Sequence, residues 1–413
     1  MAAASSRIIQ PPNVQLPAQL AREGAATLAG YQAAVAATDK LPAEELTMPV
    51  LGLFGEVGSL LAVLKKKSRD AAAYAAYDAA LTEELGDVLW YLTCIAHRVG
   101  LDLGTMFRTL DLQHGRLAGS QLGAEMFSDL QRETLPHRGG EPLTPAIQLA
   151  KHAGELVGEL PEGLAKDRDR LASKLGAILW ALLNLAGAAD IDIEAAARRN
   201  LEKTFSRWPL QFAYPELPDG EMPTNEQLPR TFDMLVEEHQ VGGKTYVLQK
   251  CNGIIVGDRL TDNKAEQDDY RFHDVFHIAY AVHLGWSPTL RALLHLKRKS
   301  APMIDESEDG ARAVLTEEGI ATFIFGRAIE RQLFAGLAQL DLDLLKMVQS
   351  FVRGFEAERC ALWQWERAIL DGFEVFRQLK RHRRGLVRAD LLKHTLTFEP
   401  TARKATALEP ELD

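Results

Sequence analysis

Two segments ninety residues apart share an apolar pattern that is typical of a buried helix. "LTEELGDVLWYL" (81–92) and "LASKLGAILWAL" (171–182) keep the same Leu-Gly-x-x-Leu-Trp core. Upstream, "EVGSL" (56–60) aligns with "HAGEL" (152–156) at an offset of 96 residues. Apolar residues recur at three- and four-residue intervals, with no strand-like alternation. We infer an internal duplication, which restricts this half of the chain to a helical bundle.

Two segments rich in proline, glycine and charge divide the chain. Residues 132–145 separate the two helical blocks, and residues 213–230 precede a region of different composition. In that region, "KTYVLQK" and "IIVGDRL" flank "CNG" and predict a β-hairpin, followed by long helical stretches and a short last strand. The predicted fold class is mainly α: a tandem helical bundle and a mostly helical C-terminal domain with a small β-hairpin. The predicted domains are 17–130, 140–212 and 225–400.

Charge and cysteine content exclude several classes of protein. The net charge of −10 argues against a dedicated nucleic-acid-binding protein. The three cysteines, Cys94, Cys251 and Cys360, have no paired spacing, so we expect reduced thiols. No apolar run approaches the roughly 18 residues of a membrane helix, and the first residues lack the apolar core of a signal peptide. We therefore expect a soluble, cytoplasmic protein without membrane contact.

Three acidic residues lie in helical segments that are otherwise apolar. Glu84 and Asp87 are three residues apart and share a helix face, and Glu56 lies on the apolar side of the preceding helix. Buried carboxylates are costly unless they are paired or bind a cation. A cluster of these three would favour a hard divalent ion, most simply Mg²⁺, which often shares its ligands with phosphates. The alternative is a solvated acidic helix face.

The segments "GEVGSL" and "EELGDVLWYL" resemble the all-α nucleoside triphosphate pyrophosphohydrolases of the MazG-like superfamily. That family carries Glu-x-x-Glu on one helix and Glu-x-x-Asp on the next, and the resemblance covers roughly residues 25–210. It implies that Glu56, Glu84 and Asp87 bind Mg²⁺, or Mn²⁺ in its place. It also implies that they activate a water which cleaves an NTP or dNTP to NMP and pyrophosphate.

The sequence departs from the family pattern at Ser59, which stands where a second glutamate is usual. A serine hydroxyl can coordinate the metal or hold a metal-bound water, but it supplies no charge. The second block departs further from the pattern and argues against a second metal site there. Its equivalents of Glu56, Ser59, Glu84 and Asp87 are His152, Glu155, Lys174 and Ala177.

The second block ends in "RNLEKTFSRWP" (199–209), which is similar to the family's phosphate-contacting Asn-x-x-Lys-x-x-x-Arg segment. The resemblance implies that Asn200, Lys203 and Arg207 bind the triphosphate while the first block supplies the carboxylates. MazG-like enzymes pair two protomers in one bundle, and a tandem copy would provide that pairing within one chain. Such pairing within one chain does not exclude a homo-oligomer. The alternative is a set of ordinary cations at a helix C-terminus, where they suit the helix dipole.

A histidine pair in the third region has the spacing of metal ligands on a helix. His273 and His277 are four residues apart, and Asp274 directly follows the first. With Glu318 from a later helix, they predict a site for a second divalent metal. The His-Asp order also occurs in HD-type phosphohydrolases, and the alternative is a pair of structural core histidines. Further candidates, by chain order alone, are His239 and Asp309.

Three functions are consistent with these patterns. The first is a Mg²⁺-dependent nucleoside triphosphate pyrophosphohydrolase acting through the helical repeats. The second places phosphohydrolase chemistry in the C-terminal domain and makes the repeats a nucleotide sensor. The third is a non-catalytic nucleotide-binding or scaffold protein. The C-terminal region looks like the helical domain that follows MazG modules in some bacterial proteins, which implies a nucleotide-related role.

Overall fold

The chain folds into two compact units, Met1–Ala213 and Tyr214–Asp413, in a computed structural model. The division falls at the start of the predicted linker. Both helical blocks lie in the first unit, and the boundary drawn between them stays a prediction. The structure describes residues 17–42, 45–106, 125–132, 139–160 and 167–401, so residues 107–124 of the predicted first domain lie outside the described residues.

The N-terminal unit is helical throughout its described residues, as the periodicity predicts. Its helices are α1 (Pro17–Ala25), α2 (Leu28–Thr38), α3 (Thr47–Asp70), α4 (Tyr77–Arg98), α5 (Phe127–Arg132), α6 (Leu143–Glu159), α7 (Arg168–Ala188) and α8 (Ile193–Arg207). In α4 the residues at helical spacing, Leu81, Leu85, Val88 and Leu92, are fully buried. The start of α8 is capped by Asp192, whose carboxylate accepts a hydrogen bond of 2.9 Å from the Glu194 backbone N–H.

The two helical blocks share one hydrophobic core that runs from Ala21 to Phe205. Helix α3 packs on α4 and α6 packs on α7, so each block forms a helix pair. The pairs also contact each other, because α3 packs on α6 and α4 on α7. Helix α8, at the end of the second block, packs on α4 and on α1. The acidic segment of the first block is therefore in contact with the basic segment of the second.

Gly86 permits the close approach of α4 and α8. A Cβ atom at this position would lie 2.6 Å from the Ala196 carbonyl oxygen and 3.0 Å from Asn200 Cβ. Neither atom can move away without shifting the α8 backbone. The glycine of the repeated Leu-Gly-x-x-Leu-Trp motif thus sets the distance between the two blocks at the level of Asp87.

The C-terminal unit combines helices with a five-stranded antiparallel sheet. Its strands are β1 (Thr231–Val241), β2 (Lys244–Cys251), β3 (Ile254–Leu260), β4 (Arg384–Asp390) and β5 (Thr395–Pro400), in the order β3-β2-β1-β4-β5. Its helices are α9 (Asp274–Leu284), α10 (Pro288–Leu293), α11 (Pro302–Ser307), α12 (Ala311–Ile329), α13 (Leu342–Phe351) and α14 (Leu362–His382). Helices α9 and α14 pack on each other and against β4 and β5.

The sequence predicts only a small β-hairpin, but the structure contains a five-stranded sheet. The predicted hairpin exists as β2 and β3, joined at Asn252 and Gly253, both with the positive φ of a tight hairpin turn. However, β1 pairs with both β2 and β4, so the hairpin is the edge of a larger sheet. In β1 the buried residues Phe232, Met234 and Val236 alternate with polar or partly exposed ones, a period-two pattern that the charged residues obscure.

A buried arginine fixes the segment that precedes α9. Arg271 is 4% exposed, and its guanidinium contacts Asp262 at 2.6 Å, Asp269 at 2.6 Å and Glu238 at 2.8 Å. Because Glu238 lies on β1, this network ties the residues just before His273 to the sheet. A buried guanidinium with all of its partners present holds one backbone arrangement.

Two helical segments, Thr47–Ala73 and Arg168–Ala188, are long and apolar enough to cross a membrane by length and composition alone. This differs from the expectation that no such segment exists. The share of the apolar window that is buried within the protein is 33% in Thr47–Ala73 and 67% in Arg168–Ala188. The apolar residues of α3 and α7 also contribute to the shared core.

Gly86→Ala should destabilise the N-terminal unit. Alanine would favour the helix by about 1 kcal/mol, but the clash with the Ala196 carbonyl should cost about 1–3 kcal/mol and separate α8 from α4. Gly58→Ala is the matched control, because no heavy atom lies within 4 Å of its added Cβ. Urea unfolding of the full chain should show a lower midpoint for Gly86→Ala and a higher one for Gly58→Ala. Equal stabilisation by both would refute the close approach.

Candidate functional site

The structure brings Glu56, Glu84 and Asp87 together between α3 and α4. One ligand oxygen from each carboxylate lies within 4.8 Å of the other two, and all three residues are partly buried. The i, i+3 spacing puts Glu84 and Asp87 on the same face of α4, and the packing of α3 on α4 adds Glu56. Such a group of oxygen donors could hold a divalent cation.

The electrostatics of this group show an excess of negative charge. Burial, followed by the neighbouring carboxylates of Asp87 and Glu56, raises the pKa of Glu84 to about 7. Its Oε2 atom is buried and has no hydrogen-bond partner among the described residues. Lys203 lowers the same pKa but does not outweigh the other causes. Ionised Glu84 is thus unfavourable in this setting unless a further cation is present.

Two donors from the second block reach Asp87. Asn200 Nδ2 donates to Asp87 Oδ1 at 2.6 Å, and Lys203 Nζ contacts both oxygens, at 2.5 Å for Oδ2. Lys203 Nζ also lies 3.5 Å from the carboxylate of Glu83. The residues predicted to contact phosphate therefore meet the predicted metal ligands, in a direct charge-assisted contact.

Two other predicted residues lie further from this contact. Ser59 is exposed on α3, one turn beyond Glu56. Arg207 lies one turn beyond Lys203, with its guanidinium carbon 4.9 Å from the centre of the Trp208 ring. Trp90, the tryptophan of the repeated Leu-Gly-x-x-Leu-Trp core, is 7% exposed and donates to Thr38 Oγ1 at 3.1 Å within the core.

The corresponding positions of the second block form ion pairs. Lys174, the equivalent of Glu84, lies 2.6 Å from Glu159 and 4.0 Å from Glu155. His152, the equivalent of Glu56, lies 3.5 Å from Glu155. Both acids thus pair with Lys174, and Glu159 also pairs with Arg170 at 2.8 Å, so cationic side chains of the same block offset their charge. Among the described residues, no metal-binding group of histidines, cysteines or acids is found at this position.

Two tyrosines near the acidic group were missed by the sequence analysis. Burial, then the charge of Asp87, raises the pKa of Tyr31, whose hydroxyl is fully buried without a partner among the described residues. Burial, then Glu56 and Asp87, raises the pKa of Tyr91. Tyr91 is four residues after Asp87, so helical spacing alone could have identified it. Tyr31 comes from α2, and no sequence pattern connects it to α4.

A second group lies in the C-terminal unit, at the start of α9. His273, Asp274 and His277 are all buried, and their ligand atoms lie within 4.8 Å of one another, so that they could hold a metal. Glu318 on α12 lies 3.6 Å from His273 Nε2 and 3.3 Å from His277 Nε2. The four residues predicted to form this site are therefore neighbours in the structure.

The two further candidates are not part of this group. Asp309 is fully buried, and its carboxylate binds the Arg298 guanidinium at 2.8 Å. His239 lies on β1, where its ring stacks on Tyr246 with centroids 5.7 Å apart. Neither His239 nor Asp309 therefore completes an HD-type site with His273 and Asp274.

Comparisons with known proteins bear on the C-terminal unit. Residues 213–402 match the family of the MazG C-terminal domain. No family match covers the helical repeats of the N-terminal unit. The chain matched neither a curated protein nor a solved structure. The family match begins at the boundary between the two units and spans every strand of the sheet. Residues 213–402 are therefore a MazG C-terminal domain, an association that suggests a link to nucleotide pyrophosphohydrolases.

Proposed function

We propose that the N-terminal unit is a Mg²⁺-dependent pyrophosphohydrolase that cleaves an NTP or dNTP to NMP and pyrophosphate. The observation that carries this proposal is the contact between the two blocks. Three carboxylates of the first block lie beside an amide and an ammonium of the second, at Asp87. The MazG C-terminal domain in the same chain supports a nucleotide substrate.

The residues present fit Mg²⁺ in their chemistry. Glu56, Glu84 and Asp87 offer only oxygen ligands, which Mg²⁺ prefers, and Mn²⁺ accepts the same set. The buried Glu84 Oε2 atom lacks a partner among the described residues, as expected for an atom reserved for a cation or a water. A bound Mg²⁺ would supply positive charge to the phosphate oxygens and increase the acidity of a nearby water.

Residues of the N-terminal unit would bind the phosphates and accept the proton from water. Lys203 and Asn200 hold the Asp87 carboxylate, and a triphosphate would offer Lys203 an anionic partner in addition to Asp87 and Glu83. Arg207, one turn further along α8, would extend the cationic surface towards the outer phosphates. The buried Glu84 Oε2 atom, which has no partner among the described residues, would accept a proton from water. The water oxygen would bond to the α-phosphorus, and pyrophosphate would leave.

The repeats can also be interpreted as one active copy and one supporting copy. The second block balances its own acids through Lys174 and sends Asn200 and Lys203 to the first. On this proposal one nucleotide would bind per N-terminal unit. The proposal keeps the enzyme in the cytoplasm, where nucleoside triphosphates are abundant, and needs no membrane or nucleic acid.

Turnover should depend on the carboxylates of the first block and not on the C-terminal histidines. With Mg²⁺ and a panel of NTPs and dNTPs, the full chain should release monophosphate and pyrophosphate in equal amounts. Glu84→Gln and Asp87→Asn should each lower kcat at least about 100-fold, as expected for loss of an electrostatic group at the reacting centre. His273→Gln should retain activity, and the panel would identify the preferred base and sugar.

The same assay distinguishes the other two functions. If His273→Gln abolishes product release and Glu84→Gln does not, the chemistry lies in the C-terminal unit and the repeats serve as a sensor. Tight NTP binding without product in Mg²⁺ or Mn²⁺ would instead indicate a binding or scaffold protein. Either result would overturn the proposed reaction.

Glu84→Gln should stabilise the metal-free protein and abolish the stabilisation by Mg²⁺. In metal-free protein at a pH above 7, the amide removes the cost of burying the charge and the like-charge repulsion, so the melting temperature should rise by roughly 2–4 °C, which corresponds to about 1 kcal/mol in a unit of this size. Mg²⁺ should raise the melting temperature of the wild type but not of this variant. Glu83→Gln is the control, because Glu83 pairs with Lys203 and Arg199 and is not a proposed ligand. It should keep the Mg²⁺ response. A metal-free Glu84→Gln protein less stable than the wild type would contradict the repulsion.

A further inference from the structure

The histidine group of the C-terminal unit differs in kind from the acidic group of the first. It draws on two elements: His273, Asp274 and His277 at the start of α9, and Glu318 on α12. His277 is 0% exposed, while His273 and Asp274 are 7% and 6% exposed. Its imidazole nitrogens favour transition metals over Mg²⁺.

Both imidazoles are oriented by a hydrogen bond at Nδ1. His273 Nδ1 lies 2.9 Å from the Tyr270 carbonyl oxygen, and His277 Nδ1 lies 2.9 Å from Glu317 Oε1. A carbonyl oxygen can only accept, so His273 carries its proton on Nδ1, and in the neutral ring Nε2 keeps its lone pair. The Nε2 atoms of both rings point towards Glu318, at 3.6 Å for His273 and 3.3 Å for His277. This arrangement is typical of histidines whose other nitrogen binds a metal.

The Glu317 carboxylate, which orients His277, is itself held by hydrogen bonds. Glu317 is 0% exposed and accepts a hydrogen bond of 2.7 Å from Ser287 Oγ and one of 2.8 Å from the Thr289 backbone N–H. Gln249 Nε2 donates a hydrogen bond to Asp274 Oδ2. The side chains are thus held by partners outside the group, and their ligand atoms are left facing one another.

Three separations between donor atoms are close to those of neighbouring ligands on one ion, with Glu318 meeting His273 through Oε2 and His277 through Oε1. His273 Nε2 lies 3.2 Å from Asp274 Oδ1 and 3.6 Å from Glu318 Oε2, and His277 Nε2 lies 3.3 Å from Glu318 Oε1. Bonds of about 2.0–2.1 Å from a central ion give ligand separations of about 3.3–3.4 Å in a tetrahedron. His277 Nε2 is buried, and its approach to Glu318 is not a well-formed hydrogen bond.

We propose that His273, Asp274, His277 and Glu318 bind one divalent transition-metal ion of the zinc class. Three ligands are buried, while Glu318 is 34% exposed on its side chain and gives the ion its access to solvent. This metal centre belongs to the C-terminal unit, and its existence does not rest on the reaction proposed for the repeats. Glu317 is a positioning residue that orients His277.

Metal content tests the proposal without any activity assay. Full-length protein without a histidine tag is stripped with a chelator, loaded with Zn²⁺ or Co²⁺, desalted and analysed for bound metal by mass spectrometry. We expect one ion per chain, and visible d–d bands from tetrahedral Co²⁺. Glu318→Gln and His277→Gln should weaken binding more than about 100-fold, and Glu317→Gln about 10- to 100-fold, in competition with a chromogenic chelator.

Two control variants make the result specific. His382→Asn removes an exposed histidine of the same unit and should keep full metal binding. Glu84→Gln removes a ligand of the proposed Mg²⁺ site and should also leave Zn²⁺ binding unchanged. Glu318→Gln changes a partly exposed side chain, so circular dichroism should show that it folds. If the wild type retains no metal, or if Glu318→Gln and His277→Gln retain as much as His382→Asn, the group is a set of structural ion pairs and the proposal fails.

Discussion

The arrangement of the N-terminal unit depends on a concentration of negative charge in an apolar helix pair. Glu56, Glu84 and Asp87 cannot all be ionised at short range without a compensating positive charge. Lys203 provides part of that charge, and it can do so only because α8 approaches α4 at Gly86. The shared core, the close helix contact and the asymmetry between the blocks all contribute to placing one ammonium beside three carboxylates. Burial and the neighbouring carboxylates nevertheless raise the pKa of Glu84 to about 7, against the opposing effect of Lys203.

The two units carry groups of different chemistry that could each hold a metal ion. The group in the repeats is partly buried and consists of carboxylates, which leaves room for a cation that keeps waters and shares phosphate oxygens. The group on α9 is buried, contains two oriented imidazoles and is supported by Glu317. A cell supplies Mg²⁺ and zinc-class ions at very different free concentrations. Two centres selective for different ions would not compete for one pool, and each could be occupied independently.

Local patterns predicted what local interactions determine. The helices of the first unit, the common face of Glu84 and Asp87, and the turn at Asn252 and Gly253 all follow from residue spacing and backbone preference. The sheet was underestimated because the hydrophobic alternation of β1 is interrupted by charged residues that pair elsewhere, such as Glu238 with Arg271. Strand β4 begins in a basic run that resembles a helix end, and its pairing with β1 spans more than 140 residues of sequence. Tyr31 escaped prediction for the same reason, because it reaches the acidic group only through tertiary packing.

The contact between Asp87 and Lys203 also determines how this chain can be divided. A gene segment encoding only the first block would yield carboxylates without their nearest cation, and helices α3 and α4 without the apolar surfaces of α6 and α7. The second block alone would carry Asn200 and Lys203 with nothing to bind. The two blocks therefore depend on each other for this charge pairing and for their shared core. The two compact units meet after Ala213, so a division there separates the C-terminal unit and leaves the bundle whole.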